Sequence, residues 1–240
     1  MWIMNGRSHA SHRTPSRHVG VAVALLACVG LTACAVAETP LPASTADPVT
    51  VSPLPESGEL DPGTYLVTGF TMPFEITVPD GWESGGWFLS KFPAEDTGVA
   101  VNFQVPDYVP TDACAWKGAI VEVDPSPDAF VDAMAAQTST VTTPAVEIML
   151  GGFAGLEFDH SVESDVDIND CDEGKICLHS DSANNCARWH SGVTAHETYR
   201  VVDLSGERAV IAVLGTGPVD PALTEEARSV FDSIEFAPDE

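Results

Sequence analysis

Basic residues are scarce in this sequence: 10 Lys and Arg stand against 36 Asp and Glu, for a formal net charge of −26. That imbalance argues against a nucleic-acid partner, which needs a basic footprint to displace counterions. It argues equally against a body lying flat on an anionic bilayer, where lysine and arginine supply the attraction. The acidity reads first as solubility of an exposed surface, and second as a means of capturing a cation or a basic partner.

Catalytic signatures are missing too. Ser84, within Gly81-Trp82-Glu83-Ser84-Gly85-Gly86, lacks the G-x-S-x-G spacing, and Ser191 and Ser205 precede glycines in expected turns. His196-Glu197 does not extend to H-E-x-x-H, because Arg200 stands in the place of the second histidine. No internal repeat is present. These residues give no reason to expect an enzyme.

Only one long apolar run occurs, VGVAVALLACVGLTAC from Val19 to Cys34, with Arg7, Arg13 and Arg17 before it and no acidic residue upstream. A basic head, an apolar stretch and small residues make an export leader. Leu31-Thr32-Ala33-Cys34 has the form of a bacterial lipobox. Residues 1–33 are therefore expected to be a signal peptide and Cys34 the lipidated first residue of the mature chain, on the outer face of a bacterial membrane. A signal-anchor helix has enough length, but the run is rich in Ala, Gly and Val and a proline-rich segment follows it without interfacial anchors. Cleavage after Ala35-Val36-Ala37 would leave Cys34 without a role. Two or three acyl chains hold a protein stably where one does not, and the unpaired arginines do not indicate a twin-arginine route. Removing residues 1–33 leaves seven basic against 36 acidic residues, a net −29.

Four cysteines then remain: Cys114, Cys171, Cys177 and Cys186. An even number in an oxidising compartment reads as two disulfides, with three possible connectivities. Zinc competes, since His179 and His190 lie close by, but C-x5-C-x8-C-x3-H lacks the C-x2-C knuckle.

Residues 34–60, with Pro40, Pro42, Pro48, Pro53 and Pro55 among Ser, Thr and Ala, read as a disordered linker. Residues 61–240 read as a single domain. Strands are expected at Tyr65–Phe70, Phe74–Val78, Trp87–Phe92 and Val99–Val105, with 106–125 irregular. Hairpins are expected at Ala145–Leu150 with Ala154–His160, and at Thr198–Leu204 with Arg208–Leu214. One helix starts at Ser126 as N-cap with Pro127 and Asp128 behind it. Another starts at Asp220-Pro221 and aligns Leu223, Ala227, Val230 and Phe231 on one face. A last strand, Ile234–Phe236, closes the chain. The class is α+β: an antiparallel sheet, with two helices to cover one face.

Several stretches carry a resemblance: Ile76-Thr77-Val78-Pro79-Asp80-Gly81-Trp82, Cys114-Ala115-Trp116, Gly152-Phe153-Ala154-Gly155, Val202-Asp203-Leu204-Ser205-Gly206-Glu207-Arg208 and Phe231-Asp232-Ser233-Ile234-Glu235-Phe236. Over most of residues 64–237 the chain resembles a group of secreted and lipid-anchored actinobacterial proteins related to PsbP. The resemblance implies a PsbP-like α/β/α sandwich. Its motifs are turn and core residues, and the group has no assigned reaction, so it implies architecture and not activity. On this scheme Cys177 and Cys186 flank the polar tip Ser180–Asn185 and face each other across a hairpin. Cys114 then pairs with Cys171.

Three further groups invite a ligand. Asp165, Asp167 and Asn169 alternate oxygen donors as calcium prefers, but an EF-hand needs glycine where Asp170 stands and glutamate where Ile176 stands. A solvated acidic loop, with at most a weak calcium site and no other cofactor, is the expectation. His160, His179, His190 and His196 could gather on one face as a transition-metal site if the loop folds back, but scattered loop histidines are expected to face solvent. Trp82, Trp87, Trp116 and Trp189 are expected in the core or as edge cover rather than lining a groove. The expected function is a membrane-tethered, non-catalytic binding or interaction module whose partner is an envelope protein or a small ligand. Capture of a ligand, calcium or another metal is the alternative, and an envelope enzyme comes third.

Overall fold

The computed structural model describes residues 51–94, 97–218 and 220–236. The leader, Cys34 and most of the linker lie outside the described residues. The chain first forms β1 (Ser52–Pro53), β2 (Gly58–Glu59), β3 (Gly63–Val67), β4 (Phe74–Val78), β5 (Glu83–Ser84), β6 (Phe88–Ala94) and β7 (Thr97–Gln104). Then come β8 (Tyr108–Pro110), β9 (Ile120–Glu122), α1 (Pro127–Ala136), β10 (Thr140–Thr142), β11 (Val146–Leu150) and β12 (Phe153–Val162). The last elements are β13 (Ile176–His179), β14 (Arg188–His190), β15 (His196–Asp203), β16 (Arg208–Thr216), α2 (Pro221–Asp232) and β17 (Glu235–Phe236). The class is α+β, a mostly antiparallel sheet with two helices.

The main sheet runs β10–β12–β15–β16–β7–β6–β5–β2, with β11 also paired to β12. A second sheet, β1–β3–β4–β17, lies apart from it, so the closing strand β17 pairs with β4 rather than with the main sheet. Both expected hairpins are present. The first turns at Gly151-Gly152, where Gly151 takes φ 53° and an added Cβ would lie 2.7 Å from the Phe236 nitrogen. Glycine alone fits that conformation and that approach.

The expected boundary at residue 60 is too late. β1 pairs with β3 and β2 with β5, and the Leu60 nitrogen donates to the Trp82 carbonyl at 2.8 Å. Leu60 is buried in the core and Leu54 packs against it. Prolines such as Pro53 are tolerated because an edge strand needs fewer N–H donors.

Both helices begin as their caps dictate. The Ser126 hydroxyl accepts from the Ala129 nitrogen ahead of Pro127, and the Asp220 carboxylate accepts from the Ala222 nitrogen ahead of Pro221. They lie on opposite faces of the main sheet, not on one. Val202, Ala209 and Ile211 share a core with Leu223, Ala227, Val230 and Phe231 of α2. Tyr199, Val201, Val210 and Ala212 share the other with Phe130 and Met134 of α1. Consecutive apolar residues at 209–212 bury both faces of a central strand, and each face then needs its own cover.

The α1 face is completed by a disulfide-tied layer. Cys114 is bonded to Cys171 and Cys177 to Cys186, with Cα atoms 4.5 and 5.8 Å apart. The Cys177 nitrogen donates to the Ala113 carbonyl at 2.8 Å, and the Asp172 nitrogen to the Cys114 carbonyl at 2.9 Å. This layer brings the β13–β14 hairpin against β15.

Candidate functional site

β15 carries Glu197, Tyr199 and Val201 on one face by the period of two that a strand imposes. β12 sets His160 opposite Glu197 and Phe158 opposite Tyr199. The β13–β14 hairpin adds His179, Arg188 and His190. A polar cluster is thereby sealed inside an apolar layer: Glu197, Tyr199, His179 and His160 are buried, and Arg188 and His190 nearly so.

Arg188 Nη2 donates to Glu197 Oε1, and His190 Nε2 lies 3.5 Å from the same oxygen. Burial pushes the Glu197 carboxyl up, but the Arg188 charge and then His190 outweigh it and hold it at about 2. Burial lowers Arg188, and Glu197 more than restores it. Burial drives His160 down to about 4 and His179 to about 3, and lowers His190 as well, so the three rings are neutral at neutral pH. Tyr199 is raised well above 10 by burial and by the Glu197 charge.

The Thr142 hydroxyl donates its single hydrogen to the Met134 carbonyl at 3.1 Å and lies 2.8 Å from His160 Nδ1. That contact ties the ring down at Nδ1 and leaves Nε2 on its other side. Among the described residues that Nε2 has no hydrogen-bond partner. Nor have Glu197 Oε2, Arg188 Nε and the Tyr199 hydroxyl, which lies near enough to Glu197 and Arg188 to bear on both without an aligned hydrogen bond. The Tyr199 ring stacks on Phe158 at 5.1 Å, with His160 and His179 edge-on at 6.0 and 5.9 Å.

His190 is where this interior meets a cleft of about 500 Å³. Phe92 and Trp189 line the cleft, with Ala195 and Leu214 as apolar surface and Ser191 and Thr216 as hydroxyls. Both aromatic residues are exposed, at 49% and 41%. Phe92 lies directly over Gly98, where an added Cβ would stand 2.3 Å from its Cδ1. Trp189 is covered by Lys175, whose Nζ stands 4.9 Å from the ring centroid. The cleft has the makings of a contact surface: fixed aromatic faces, a few hydroxyls and one neutral imidazole.

The residues singled out from the sequence fare differently. Both cysteine pairs are disulfides. Cys34 lies outside the described residues. Asp165, Asp167 and Asn169 are exposed and do not form a calcium cage. Asp167 spends its Oδ1 on the Asn169 nitrogen and Nδ2, at 3.0 and 2.8 Å, and these bonds lower its pKa. The segment is oriented by Val166 and Ile168, which pack inward. Among the described residues no three His, Cys, Asp or Glu side chains converge as metal ligands.

The histidine expectation is overturned for three of the four, since only His196 faces solvent. The tryptophans divide. Trp82 and Trp116 are core, donating to Glu226 Oε1 at 2.8 Å and to the Asp172 carbonyl at 3.1 Å. Trp87 and Trp189 are exposed and each lines a concavity.

Sequence reasoning missed Glu197, Arg188, Tyr199 and Phe92. In the sequence Glu197 stands beside His196 as half of a zinc motif, which a strand cannot form, because His196 and Glu197 lie on opposite faces of β15. Arg200, in the motif's second-histidine place, reaches the α2 side and pairs with Glu157 at 2.7 Å and Asp232 at 2.5 Å.

No protein-family model matches the chain, and no curated protein matches it. Solved structures share part of its course, three of them as follows. One is from Bacteroides thetaiotaomicron: 8% identity over 75% of this chain and 50% of that one, TM-score 0.36. The chain thus spans about half of that protein's length. The second is the cyanobacterial PsbP (CyanoP) of Synechocystis sp. PCC 6803: 14% identity, 75% and 95% covered, TM-score 0.37. The third is LpqN of Mycobacterium tuberculosis, described as involved in cell envelope biogenesis: 13% identity, 76% and 91% covered, TM-score 0.36. At identities and TM-scores this low, these likenesses assign the chain neither a family nor a function.

Proposed function

We propose that this is an exported bacterial lipoprotein, anchored through Cys34 on the outer face of the membrane, whose folded domain works by binding and not by catalysis. The leader and lipobox support the anchor, and two disulfides suit an oxidising compartment. No helix among the described residues is long and apolar enough to cross a membrane.

The observation that carries the binding reading is the pair Phe92 and Trp189, held exposed at fixed places along one cleft. Aromatic residues are costly to leave in water and serve as anchors at interfaces. Behind them the Arg188–Glu197 pair is locked by mutual charge. The occupant in this reading is an envelope protein or a small ligand.

A photo-reactive amino acid in place of Trp189, irradiated in intact cells, tests it. Binding through the cleft yields a discrete cross-linked product that Phe92→Ser abolishes. The reading fails if no product forms, or if Phe92→Ser leaves it unchanged.

A further inference from the structure

The main sheet has two edges of different character. One ends in the two-residue strands β5 and β2, too short to template another strand. At the other, among the described residues, β11 pairs on one side only, with β12, in unbroken register over five residue pairs. Exposed edges are ordinarily blunted by charged side chains, lysine above all, by proline or by a bulge. β11 reads Val146-Glu147-Ile148-Met149-Leu150, with one charge, Glu147, and no lysine, proline or bulge. Val146 and Met149 are 56% and 68% exposed, and Val141 on the neighbouring β10 is exposed as well. An open edge with strong strand propensity and apolar side chains is a template for pairing.

Beside it lies a groove of about 680 Å³ between the first turn of α1 and the β11–β12 hairpin. Glu147, Met149 and Leu156 line it from the hairpin, Asp128 from α1 and Asp203 from the end of β15. Among the described residues no basic side chain lines it. The register puts Leu156 opposite Glu147, Ala154 opposite Met149 and Val201 opposite Leu156, so these residues belong to the α1 face of the sheet. Three carboxylates around two apolar side chains call for a cation on an apolar stem. A second copy of the chain does not fit, since it would set the same carboxylates of two bodies, each of net charge −29 without the leader, against each other.

We propose that the open edge of β11 and the acidic groove beside it dock an extended, lysine- or arginine-bearing segment of a partner protein, added to the sheet as a further strand. Main-chain hydrogen bonds to β11 supply the generic attraction. Specificity comes from alternate side chains, basic ones among Asp128, Glu147 and Asp203 and apolar ones against Met149 and Leu156. This surface shares no lining residue with the Phe92–Trp189 cleft and does not depend on that reading.

A short synthetic peptide of alternating lysine and valine is the probe, with its glutamate-for-lysine counterpart as control. Titration into the folded full chain is expected to protect the β11 amides from hydrogen exchange. The affinity is expected to fall with added salt. The double variant Glu147→Lys/Met149→Lys is expected to bind about tenfold more weakly or worse, while keeping the parent's melting temperature. Phe92→Ala is expected to bind as the parent does. The proposal is overturned if the lysine peptide does not bind, if the glutamate peptide binds as well, or if the double variant, still folded, binds unchanged. It is also overturned if β11 protection rises with protein concentration alone, which would make a second copy the occupant.

Discussion

Glu197 on β15 and Arg188 on β14 form an ion pair whose carboxylate is wholly buried, and the same oxygen faces His190 at 3.5 Å. The pair joins the disulfide-tied hairpin to the main sheet. Breaking a buried pair from one side leaves an uncompensated charge, which costs about 3–5 kcal/mol. Arg188→Met is therefore expected to lower unfolding stability by about that much in urea titrations. Arg188→Met with Glu197→Leu is expected to recover most of the loss. A single variant as stable as the parent would show that the pair is not the joint described.

Acid should unfold this domain early. His160, His179 and His190 have folded pKa values below their unfolded value of 6.5, the first two at about 4 and about 3. As pH falls through 6.5 the unfolded chain takes up protons that the folded one refuses, so stability drops. Glu197, at about 2 against 4.5 unfolded, adds loss in the same direction below pH 4.5. Each such proton contributes a slope of up to about 1.4 kcal/mol per pH unit. Tyr199 is raised, so its contribution is lost as pH rises past 10. Melting temperatures from pH 8 to pH 4 should therefore fall, most steeply below pH 6.5. His160→Asn with His179→Gln should flatten that fall, and an unchanged profile would exclude these rings as its cause.

The two disulfides should differ in weight. Cys114–Cys171 closes a separation of 57 residues and Cys177–Cys186 one of 9. By loop-closure entropy their losses are about 4 and about 2.5 kcal/mol. Urea unfolding of the paired Cys→Ser variants measures both. The smaller loss should bring the larger exposure of Trp189, read by its fluorescence, because that bond holds its hairpin. Equal losses would mean that strain or residual structure outweighs loop length.

Gly98→Ala probes the cleft. The new Cβ would meet Phe92 Cδ1 at 2.3 Å and the Lys91 carbonyl oxygen at 2.7 Å. Phe92 must then swing away and the β6 backbone must shift, a cost of about 1–3 kcal/mol by overpacking. The variant is expected to fold, to melt lower and to lose the Trp189 cross-link. A variant that keeps both would remove Phe92 from the proposed contact surface.

What was legible in the sequence was local. Ser126-Pro127 and Asp220-Pro221 announce their helices because a cap and a fixed φ act within one turn. Phe74 to Val78 announces its strand by alternation, and the polar tip between Cys177 and Cys186 announces a hairpin. What was misread depends on distant parts of the chain. Ser52–Glu59 looks like linker because its pairing partners, β3 and β5, lie downstream. Three histidines look solvent-facing until the β13–β14 hairpin is laid on β15. Glu197 gave a usable signal, a carboxylate in register with Tyr199 and Val201 on an apolar strand face, which marks a buried charge in need of a partner.

The account as a whole depends on the lipid at Cys34, and intact-mass and N-terminal analysis of protein extracted from membranes measures it directly. The account predicts a chain beginning at Cys34 with diacylglycerol on its sulfur, and a Cys34→Ala variant that keeps its leader or leaves the membrane fraction. An N-terminus at Glu38, or a Cys34→Ala product of unchanged size and fractionation, would contradict it.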